Sequence, residues 1–259
     1  MGYEKLFDLT GKVVLTTGTS KGMGKAMVEA MADHGATVIV SSRKLDQCEE
    51  VAEGIRSKHG ADRAHAIACN IGHKEALQEL VAKTKEAAGA ADVVCGNAGV
   101  NVAYGPMSEI SDEAYDRIMD SNVKSNHWLA QMVLPDMHEK GGGSIFFTSS
   151  IGAFRASPVL GTYSISKLAL IGLIRNLALE NGPKGVRVNA ICPGLIRTDF
   201  AKALWENPEA EKRVNQETPL RRLGEAEDLA GAAVYLASDA SKFMTGQCMT
   251  VCGGNQMWS

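Results

Sequence analysis

The sequence predicts an α/β domain, with a doubly wound parallel sheet of about seven strands and helices on both faces of that sheet. Short apolar and β-branched runs alternate with longer segments of helical periodicity along the whole chain. A glycine-rich turn follows the first of these runs, as in nucleotide-binding α/β domains. The sequence contains no linker, internal repeat or low-complexity tract, so residues 1–259 are expected to form a single domain.

Each strand is predicted from a short apolar run. These runs cover residues 12–17, 37–40, 64–68, 92–95, 144–148, 186–191 and 248–251. After the first run, Met23, Met27 and Met31 recur every four residues and predict a helix whose methionines face the core. Further helical patterns cover residues 45–58, 74–87, 111–140, 161–180 and 225–237. A polar, helix-prone insert at residues 198–217 precedes the last of them.

The composition is that of a soluble globular protein, with 45% hydrophobic and 22% charged residues. A formal net charge of −3 gives no bulk electrostatic reason to expect nucleic acid or an anionic membrane as a partner. No run approaches the roughly 20 apolar residues of a membrane span, and the N-terminus lacks a basic region followed by an apolar one. We therefore expect a cytoplasmic protein.

The six cysteines are scattered along the chain and lie mostly within apolar runs. They form no Cys-x-x-Cys pair, and neither they nor the six histidines cluster at the spacing of zinc ligands. Reduced, buried thiols are therefore expected, and no metal site is predicted.

The glycine-rich turn, Thr-Gly-Thr-Ser-Lys-Gly-Met-Gly, covers residues 17–24 between the first strand and its helix. Its glycines allow tight turning of the backbone and let a pyrophosphate approach the free N–H groups at the helix N-terminus. The spacing is Gly-x-x-x-Gly-x-Gly, which differs from the Gly-x-Gly-x-x-Gly of long-chain dehydrogenases. The turn predicts a nucleotide site, with a turn needed only for packing as the alternative.

A phenol and an ammonium lie four residues apart at Tyr163 and Lys167. On a helix this spacing puts both groups on one face. A nearby cation favours phenolate and lowers the pKa of a phenol from its usual value of about 10 toward neutrality. The pair is therefore a candidate acid/base, with an ordinary turn of a surface helix as the alternative.

Taken in order, the glycine turn, the Asn97-Ala98-Gly99 strand end and Tyr163-x-x-x-Lys167 resemble the short-chain dehydrogenase/reductase family across almost the whole chain. Two further positions agree, because Ser150 lies thirteen residues before the tyrosine and Asn122 lies in the helix after strand four. The resemblance implies a Rossmann-like fold, a nicotinamide cofactor and a small carbonyl or alcohol substrate. It also implies that residues 198–217 form a mobile lid over the substrate.

The resemblance also implies a task for each catalytic group. Ser150 would hydrogen-bond the substrate carbonyl oxygen, and Tyr163 would donate its proton as hydride arrives. Lys167 would hold the cofactor ribose and lower the pKa of the phenol. A pKa of about 7 requires roughly 4 kcal/mol of phenolate stabilisation, which Lys167 and the positive nicotinamide would supply together in the oxidative direction. Asn122 would interrupt its helix and hold a water that joins Lys167 to solvent. Ser149 is the rival to Ser150, and the family spacing favours Ser150.

The family positions that contact the cofactor are carried over residue by residue. They are Gly18, Thr19, Ser20, Lys21, Gly22, Met23, Gly24, Ser42, Arg43, Lys44, Asn70, Ile71, Asn97, Ala98, Gly99, Tyr163, Lys167, Pro193, Gly194, Ile196 and Thr198. Asn70 departs from the aspartate that the family usually places near the adenine, and its amide keeps an acceptor while adding a donor.

The end of strand two predicts the choice of cofactor. NAD enzymes usually place an acidic residue there to bind the ribose 2′-hydroxyl. Here the strand ends in Ser-Ser-Arg-Lys at residues 41–44, and the first carboxylate is Asp46, already in the helix. Arg43 is a candidate for charge-assisted contacts to a 2′-phosphate, and Lys21 resembles a second basic position of NADP-preferring members. We predict that NADP(H) is preferred and that NAD(H) remains possible.

The predicted function is NADP(H)-dependent hydride transfer between nicotinamide and a ketone or secondary alcohol. The closest family guesses are a 3-oxoacyl carrier-protein reductase or a general carbonyl reductase. The alternatives are an NAD-dependent alcohol or polyol dehydrogenase and a nucleotide-sensing protein without turnover. The expected partners are a small-molecule substrate and further copies of the chain in a homotetramer, with neither nucleic acid nor a membrane among them.

The predicted substrate pocket has walls at residues 100–107 and 152–160 and in the insert, around Phe200, Leu204 and Trp205. Family substrates range from acyl-thioester ketones to sugars, steroids, terpenes and xenobiotic carbonyls, so the resemblance leaves the substrate open. Arg155 and Arg197 either meet an anionic group of the substrate or face solvent.

Overall fold

A computed structural model gives the structure of the protein and describes residues 3–201 and 205–257. Seven parallel strands form one sheet in the order β3-β2-β1-β4-β5-β6-β7. The strands are β1 Val13–Thr17, β2 Thr37–Ser42, β3 Ala64–Ala68, β4 Val93–Gly96, β5 Gly143–Thr148, β6 Val186–Pro193 and β7 Cys248–Val251. The prediction of an α/β domain with a parallel sheet of about seven strands is thus confirmed.

Eight α-helices are described. They are α1 Gly22–Asp33, α2 Leu45–His59, α3 Lys74–Ala88, α4 Asp112–Met119, α5 Ser125–Glu139, α6 Gly161–Asn181, α7 Pro208–Glu217 and α8 Ala230–Ala237. The single helix predicted at residues 111–140 is wrong in one respect, because a π-helical segment, Asp120–Lys124, separates α4 from α5. Similarly, α8 is preceded by a 3-10 turn, Ala226–Leu229, in place of further α-helix.

The strand order reverses on either side of β1, which pairs with both β2 and β4. The connections run outward in one direction from β1 to β3 and in the other from β4 to β7. In open parallel sheets of this kind, a crevice forms beyond the carboxyl ends of the strands at the reversal. The segments that follow β1 and β4, which contain the glycine turn and Asn97, therefore meet at this crevice.

The core consists of two apolar layers, one on each face of the sheet. Adjacent residues of a strand point to opposite faces, so Val14 packs in one layer and Leu15 in the other. The layer around Val14 contains the buried faces of α1, α2 and α8, including the predicted core methionines Met27 and Met31. The layer around Leu15 contains those of α3, α5 and α6. The sheet is therefore fixed from both sides.

All six cysteines are free thiols, four of them buried. Within residues 3–201 and 205–257, no helix combines the length and apolar character needed to cross a membrane. The same residues contain no group of three or more His, Cys, Asp or Glu side chains arranged to hold a metal ion.

Candidate active site

A cleft of about 1460 Å³ opens beyond the carboxyl ends of the strands. Its walls come from the glycine turn, from the ends of β2, β3 and β4, from the start of α6 and from the segment after β6. Pockets for a single small ligand commonly measure roughly 300–1,000 Å³, so this cleft is large enough for a dinucleotide together with a substrate. The substrate end is walled by residues from three segments, at 100–104, 150–157 and 213–218.

The glycine turn is shaped by close contacts that exclude side chains. Gly18 has φ +70°, and a Cβ there would lie 2.7 Å from the backbone of Ala98. A Cβ on Gly24 would lie 2.2 Å from the carbonyl oxygen of Gly18. The same carbonyl accepts a 2.8 Å hydrogen bond from the Asn97 side chain, which ties the turn to the end of β4. The turn therefore leads straight into the N-terminus of α1, whose first N–H groups face the cleft.

Ser150, Tyr163 and Lys167 meet in the middle of the cleft wall. Tyr163 and Lys167 lie one turn apart on α6, and the Lys167 ammonium is 5.5 Å from the centre of the Tyr163 ring. The Ser150 hydroxyl hydrogen-bonds the Tyr163 phenol and accepts a 3.0 Å bond from the amide of Gly152. Lys167 donates a 2.8 Å bond to the carbonyl oxygen of Thr148 at the end of β5. A donor, an acid and a cation thus converge on one point.

In the protein without cofactor, desolvation has the largest effect on the pKa values of Tyr163 and Lys167. Removal from water raises the pKa of the Tyr163 phenol to about 12, and the hydrogen bond with Ser150 offsets only part of that effect. Burial also lowers the pKa of the Lys167 ammonium to about 8. In the protein without cofactor, desolvation therefore has the largest effect on the phenol, and the Lys167 ammonium donates its hydrogen bond to Thr148. The lowering of the phenol pKa to about 7 with the nicotinamide bound stays a prediction.

Asn122 lies beneath the cleft, fully buried in the π-helical segment. Its side chain accepts from the amide of Val100 at 2.8 Å and donates to the carbonyl of Val100 at 2.9 Å and to the Ser166 hydroxyl at 3.0 Å. The helix is thus interrupted at Asn122, as the resemblance implied. A Cβ on Gly99 would lie 3.1 Å from the Asn122 side-chain oxygen and 3.3 Å from the Lys167 nitrogen, so the glycine leaves room for both. The water expected beside Asn122 stays a prediction.

Two serines compete for the substrate carbonyl in the sequence, and their surroundings separate them. The Ser149 side chain is buried and donates a 3.0 Å hydrogen bond to the backbone carbonyl of Lys167. Ser150 is partly exposed in the cleft and bonds to Tyr163. The geometry therefore favours Ser150 over Ser149.

Nearly all of the predicted cofactor residues line the cleft. Those in its wall are Gly18, Ser20, Lys21, Gly22, Met23, Gly24, Ser42, Arg43, Lys44, Asn70, Ile71, Asn97, Ala98, Gly99, Tyr163, Lys167, Pro193, Gly194, Ile196 and Thr198. Thr19 lies outside the wall, because its amide donates to the carbonyl of Ser41 and its hydroxyl, 2.6 Å from that of Thr16, accepts from the amide of Ser41. Thr19 fixes the glycine turn to β2.

The end of β2 supplies no carboxylate to the cleft; its lining residues are Ser41, Ser42, Arg43 and Lys44. The Ser41 hydroxyl was not singled out in the sequence, yet it is buried and makes no hydrogen bond to any described residue. An unpaired buried hydroxyl beside a basic pair is suited to a ribose or phosphate oxygen. Together with the side-chain-free glycine turn, these residues fit a nicotinamide dinucleotide.

The segment after β6 contacts the glycine turn directly. Lys21 forms a 2.8 Å ion pair with Asp199, and both side chains are largely exposed; its contact with a 2′-phosphate stays a prediction. A Cβ on Gly22 would lie 3.2 Å from the Thr198 methyl carbon. Phe200, whose ring centre is 6.1 Å from that of Tyr163, covers the phenol. The start of the predicted lid thus lies over both the cofactor end and the acid.

Arg197 belongs to the support of the lid. It pairs with Glu211 at 2.5 Å and with Glu225 at 3.3 Å, and its guanidinium lies 5.0 Å from the centre of the Trp205 ring. Trp205 also donates to the carbonyl of Thr198 at 3.2 Å. Arg197 lines the cleft and its side chain is 37% exposed, so the choice between a substrate contact and a solvent-facing charge stays open. Leu204, predicted in the pocket wall, lies outside the described residues.

Other cleft residues were not singled out individually in the sequence. Asn101 lines the substrate end, and both polar atoms of its amide are buried without a partner among the described residues. Arg213 on α7 and Asn255 near the C-terminus line the same end. No motif spacing identifies them, because their place depends on how distant segments fold together. Asn101 lies directly after the Asn-Ala-Gly-Val strand end, within the predicted pocket wall at residues 100–107.

Known proteins resemble the chain over almost its whole length. Residues 18–256 match the family model described as enoyl-(acyl carrier protein) reductase. The dehydrogenase/reductase SDR family member 4 of Oryctolagus cuniculus is 37% identical over 98% of this chain and 96% of its own length, and the Homo sapiens protein is 37% identical over 98% and 90%.

Solved structures agree with these sequence matches. A 7α-hydroxysteroid dehydrogenase complexed with NADH and 7-oxo glycochenodeoxycholic acid superposes with a TM-score of 0.93 and 35% identity, covering 98% of each chain. A gluconate 5-dehydrogenase from Burkholderia cenocepacia, in complex with NADP and tartrate, has a TM-score of 0.92 and 26% identity, covering 97% of each chain. By sequence, fold and the composition of its cleft, the chain belongs to the short-chain dehydrogenase/reductase family of oxidoreductases.

Proposed function

We propose that the protein transfers hydride between NADP(H) and a ketone or secondary alcohol, with Tyr163 as the general acid and base. Bound NADPH would supply the hydride, with its electron pair, to the carbonyl carbon. Tyr163 would give its proton to the carbonyl oxygen, and the Ser150 hydroxyl would hydrogen-bond that oxygen. With its pKa raised to about 12 the phenol carries its proton at neutral pH. The glycine turn would hold the pyrophosphate at the N-terminus of α1.

The observation that carries this proposal is the convergence of Ser150, Tyr163 and Lys167 on one point of a dinucleotide-sized cleft. The three groups come from two segments, yet the Ser150 hydroxyl bonds the phenol and the ammonium lies beside the phenol ring. A protein that only sensed nucleotides would not need a hydroxyl and a phenol aligned on a substrate position. Catalysis is therefore favoured over the nucleotide-sensing alternative.

The preference for NADP(H) is supported by the end of β2. Arg43 and Lys44 line the cleft there, and no carboxylate does. A 2′-phosphate would gain charge-assisted contacts from them, whereas a 2′-hydroxyl would lack its usual acidic partner. NAD(H) is the second candidate because Lys21 is already paired with Asp199, which neutralises one of the two basic groups on which the prediction rested. Both cofactors occur among the solved relatives, NADH in one and NADP in another.

The substrate proposal is a small carbonyl compound or secondary alcohol. The wall near Tyr163 mixes apolar side chains, such as Leu160 and Phe200, with polar ones, such as Asn101 and Ser157. The relatives named above include a hydroxysteroid dehydrogenase holding an oxo bile acid and a gluconate 5-dehydrogenase holding tartrate. A general ketone reductase with an amphipathic pocket is consistent with that range.

Oxidation of NADPH and NADH over a panel of ketones, together with reduction of both oxidised cofactors over the matching alcohols, tests the proposal. Wild-type protein should turn over at least one pair faster with the phosphorylated cofactor, and Tyr163→Phe should reduce that rate by roughly a hundredfold or more while leaving cofactor binding intact. Binding of NADPH without turnover would support the sensor, and faster turnover with NADH would support the NAD-dependent alternative. Full activity of Tyr163→Phe would overturn the proposed acid.

The proposal also includes the assembly and the location of the protein. The chain would form a homotetramer, and the protein would lie in the reducing environment of the cytoplasm. Ile165, Leu168 and Leu179 are exposed apolar side chains on α6, with exposed fractions of 42%, 53% and 79%. Such a row along a long helix is suited to a second copy of the chain. The six free thiols agree with a reducing environment. Sedimentation equilibrium, compared between wild type and Leu168→Glu, would test the assembly.

A further inference from the structure

The most distinctive feature at the substrate end of the cleft is a tethered arginine. Arg155 follows the 3-10 turn Ile151–Phe154, which begins directly after Ser150. Its Nη2 donates to both the backbone oxygen and the side-chain oxygen of Asn255, and its Nε donates to the Gln256 side chain at 3.1 Å. Three hydrogen bonds thus fix the guanidinium in the cleft wall.

The segment that holds Arg155 is itself held firmly. Asn255 donates to the Thr218 hydroxyl at 3.4 Å, and the amide of Leu220 donates to the carbonyl of Gly253 at 3.1 Å. Gly253 and Gly254 both have positive φ, and a Cβ on Gly254 would lie 2.8 Å from the Pro219 ring. The C-terminal turn at residues 252–256 therefore packs closely against the end of α7. Arg155 has a stiff support, which reduces the entropy lost when a ligand binds to it.

The charge of Arg155 has no counter-ion among the described residues. All three acceptors that hold it are neutral amide oxygens. Three other charged residues of the cleft wall differ: Arg213 lies 4.0 Å from Glu217, and Asp120 lies 3.1 Å from Lys124. The two N–H groups on Nη1 of Arg155 make no hydrogen bond to any described residue. A fixed guanidinium with spare donors and no acid partner is suited to an anion.

Arg117 also lines the cleft without a described acid partner, but its situation differs. Its side chain makes no hydrogen bond or ion pair with any described residue, so nothing in the described structure fixes its guanidinium. Arg155 is held in one position by Asn255 and Gln256. A single fixed positive charge matches one negative charge, which is that of a carboxylate.

From this arrangement we infer that Arg155 binds a carboxylate of the substrate, and that the substrate class is therefore an oxo acid or the matching hydroxy acid. This rests on the proposed oxidoreductase function and narrows it. A 3-10 turn rises about 2 Å per residue, so the five residues from Ser150 to Arg155 span roughly 10 Å. The carboxylate would lie at the far end of the molecule from the carbonyl that Ser150 and Tyr163 hold.

A matched pair of ketones tests the inference. 4-Acetylbenzoate carries a carboxylate across the ring from its ketone, and 4-acetylbenzamide is nearly the same size but neutral. The ratio of their kcat/KM values, and of their dissociation constants measured by calorimetry with NADP⁺ present, should favour the acid by about tenfold or more in the wild type. Arg155→Gln should bring both ratios to within about twofold of one, chiefly by lowering kcat/KM and affinity for the acid.

Two further variants separate a specific contact from general charge. Arg213→Gln removes the same charge from the same cleft, but Glu217 already balances that arginine, so the acid should keep most of its advantage. Arg155→Lys keeps the charge and loses the planar donors that Asn255 and Gln256 hold, so it should restore only part of the preference. A preference that survives Arg155→Gln, or that Arg213→Gln abolishes equally, would overturn the inference.

Failure of the oxidoreductase proposal would look different. In that case neither ketone would be turned over with NADPH or NADH, while calorimetry would still report whether the acid binds more tightly than the amide and whether Arg155 is responsible. Conversely, turnover of both ketones with equal kcat/KM and equal affinity would leave the oxidoreductase proposal standing and overturn the assignment of Arg155. Absence of measurable binding by either ketone would also overturn that assignment.

Discussion

The Lys167 ammonium lies 5.5 Å from the centre of the Tyr163 ring but donates its hydrogen bond to the carbonyl of Thr148, 2.8 Å away. Lys167 is buried and Tyr163 is partly buried, and desolvation shifts their pKa values so that the neutral forms are favoured, to about 12 for Tyr163 and about 8 for Lys167. In the protein alone the lysine is thus the group of the pair that titrates closer to neutrality. Bound cofactor would add the charges that the isolated site lacks.

The depressed pKa of Lys167 predicts a dependence of stability on pH. Between pH 8 and the ordinary lysine pKa of 10.5, the unfolded chain binds more protons than the folded one, so stability should rise as pH rises through this window. From pH 8 to pH 10 the free energy of unfolding should rise by about 2 kcal/mol more in the wild type than in Lys167→Met. Urea denaturation of both proteins at several pH values measures it. Parallel stability curves would contradict the depressed pKa.

Removal of the Arg43 guanidinium should weaken the binding of NADPH more than the binding of NADH. Arg43 lines the cleft at the end of β2, where a 2′-phosphate would lie. A hydrogen bond to a charged group contributes roughly 1.5–3 kcal/mol, so Arg43→Ala should raise the KM for NADPH about tenfold or more. The KM for NADH in the same variant is the control and should change less than about threefold. If the KM for NADPH were unchanged, the assignment of Arg43 would fail.

Asn122 should be important for stability as well as for activity. Asn122→Ala would leave both backbone groups of Val100 and the Ser166 hydroxyl without their side-chain partner. The free energy of unfolding should therefore fall by roughly 2–4 kcal/mol. Asn176→Ala is the matched control, because that asparagine is exposed on α6 and bonds only one turn back, so its effect should stay within about 0.5 kcal/mol. Equal stability of the two variants would exclude this role.

A methyl group should not fit at Gly24. Its Cβ would lie 2.2 Å from the Gly18 carbonyl oxygen and 2.6 Å from the Asn97 side-chain nitrogen, so the glycine turn would have to move. Gly24→Ala should reduce the free energy of unfolding by roughly 1–3 kcal/mol and weaken NADPH binding in a fluorescence titration.

The control for Gly24 is Gly54→Ala, in the exposed middle of α2, where a Cβ meets nothing within 4 Å. Because alanine favours a helix over glycine, this variant should be more stable by about 0.5–1 kcal/mol and bind NADPH like the wild type. If Gly24→Ala bound NADPH normally, the glycine turn would tolerate the added methyl group and the prediction would be wrong.

The fold could be predicted well because strand and helix signals are local. The runs at residues 64–68 and 248–251 coincide with β3 and β7, and Met27 and Met31 are buried as their spacing indicated. The break between α4 and α5 was missed because its cause is distant: the Asn122 side chain bonds to Val100, 22 residues away in sequence. Local periodicity does not reveal such a partner.

The site was predictable to the extent that family motifs mark it. The placement of Tyr163, Lys167 and Ser150 follows from spacing, but the pKa values of Tyr163 and Lys167 depend on desolvation, which no motif spacing reveals. Similarly, nothing in the sequence connects Lys21 with Asp199, 178 residues later, or Arg155 with Asn255, 100 residues later. These pairs depend on how loops from different strands meet at one edge of the sheet.

The contact between the glycine turn and the start of the lid has a thermodynamic consequence. Lys21 pairs with Asp199, and Gly22 lies against Thr198, so the part of the wall that would hold the pyrophosphate adjoins the part that covers Tyr163. A dinucleotide that alters this shared wall on binding would change the affinity of the protein for its substrate, and a substrate that alters it would change the affinity for the dinucleotide. Linkage then requires reciprocity: whatever factor the dinucleotide contributes to substrate affinity, the substrate contributes to dinucleotide affinity in equal measure.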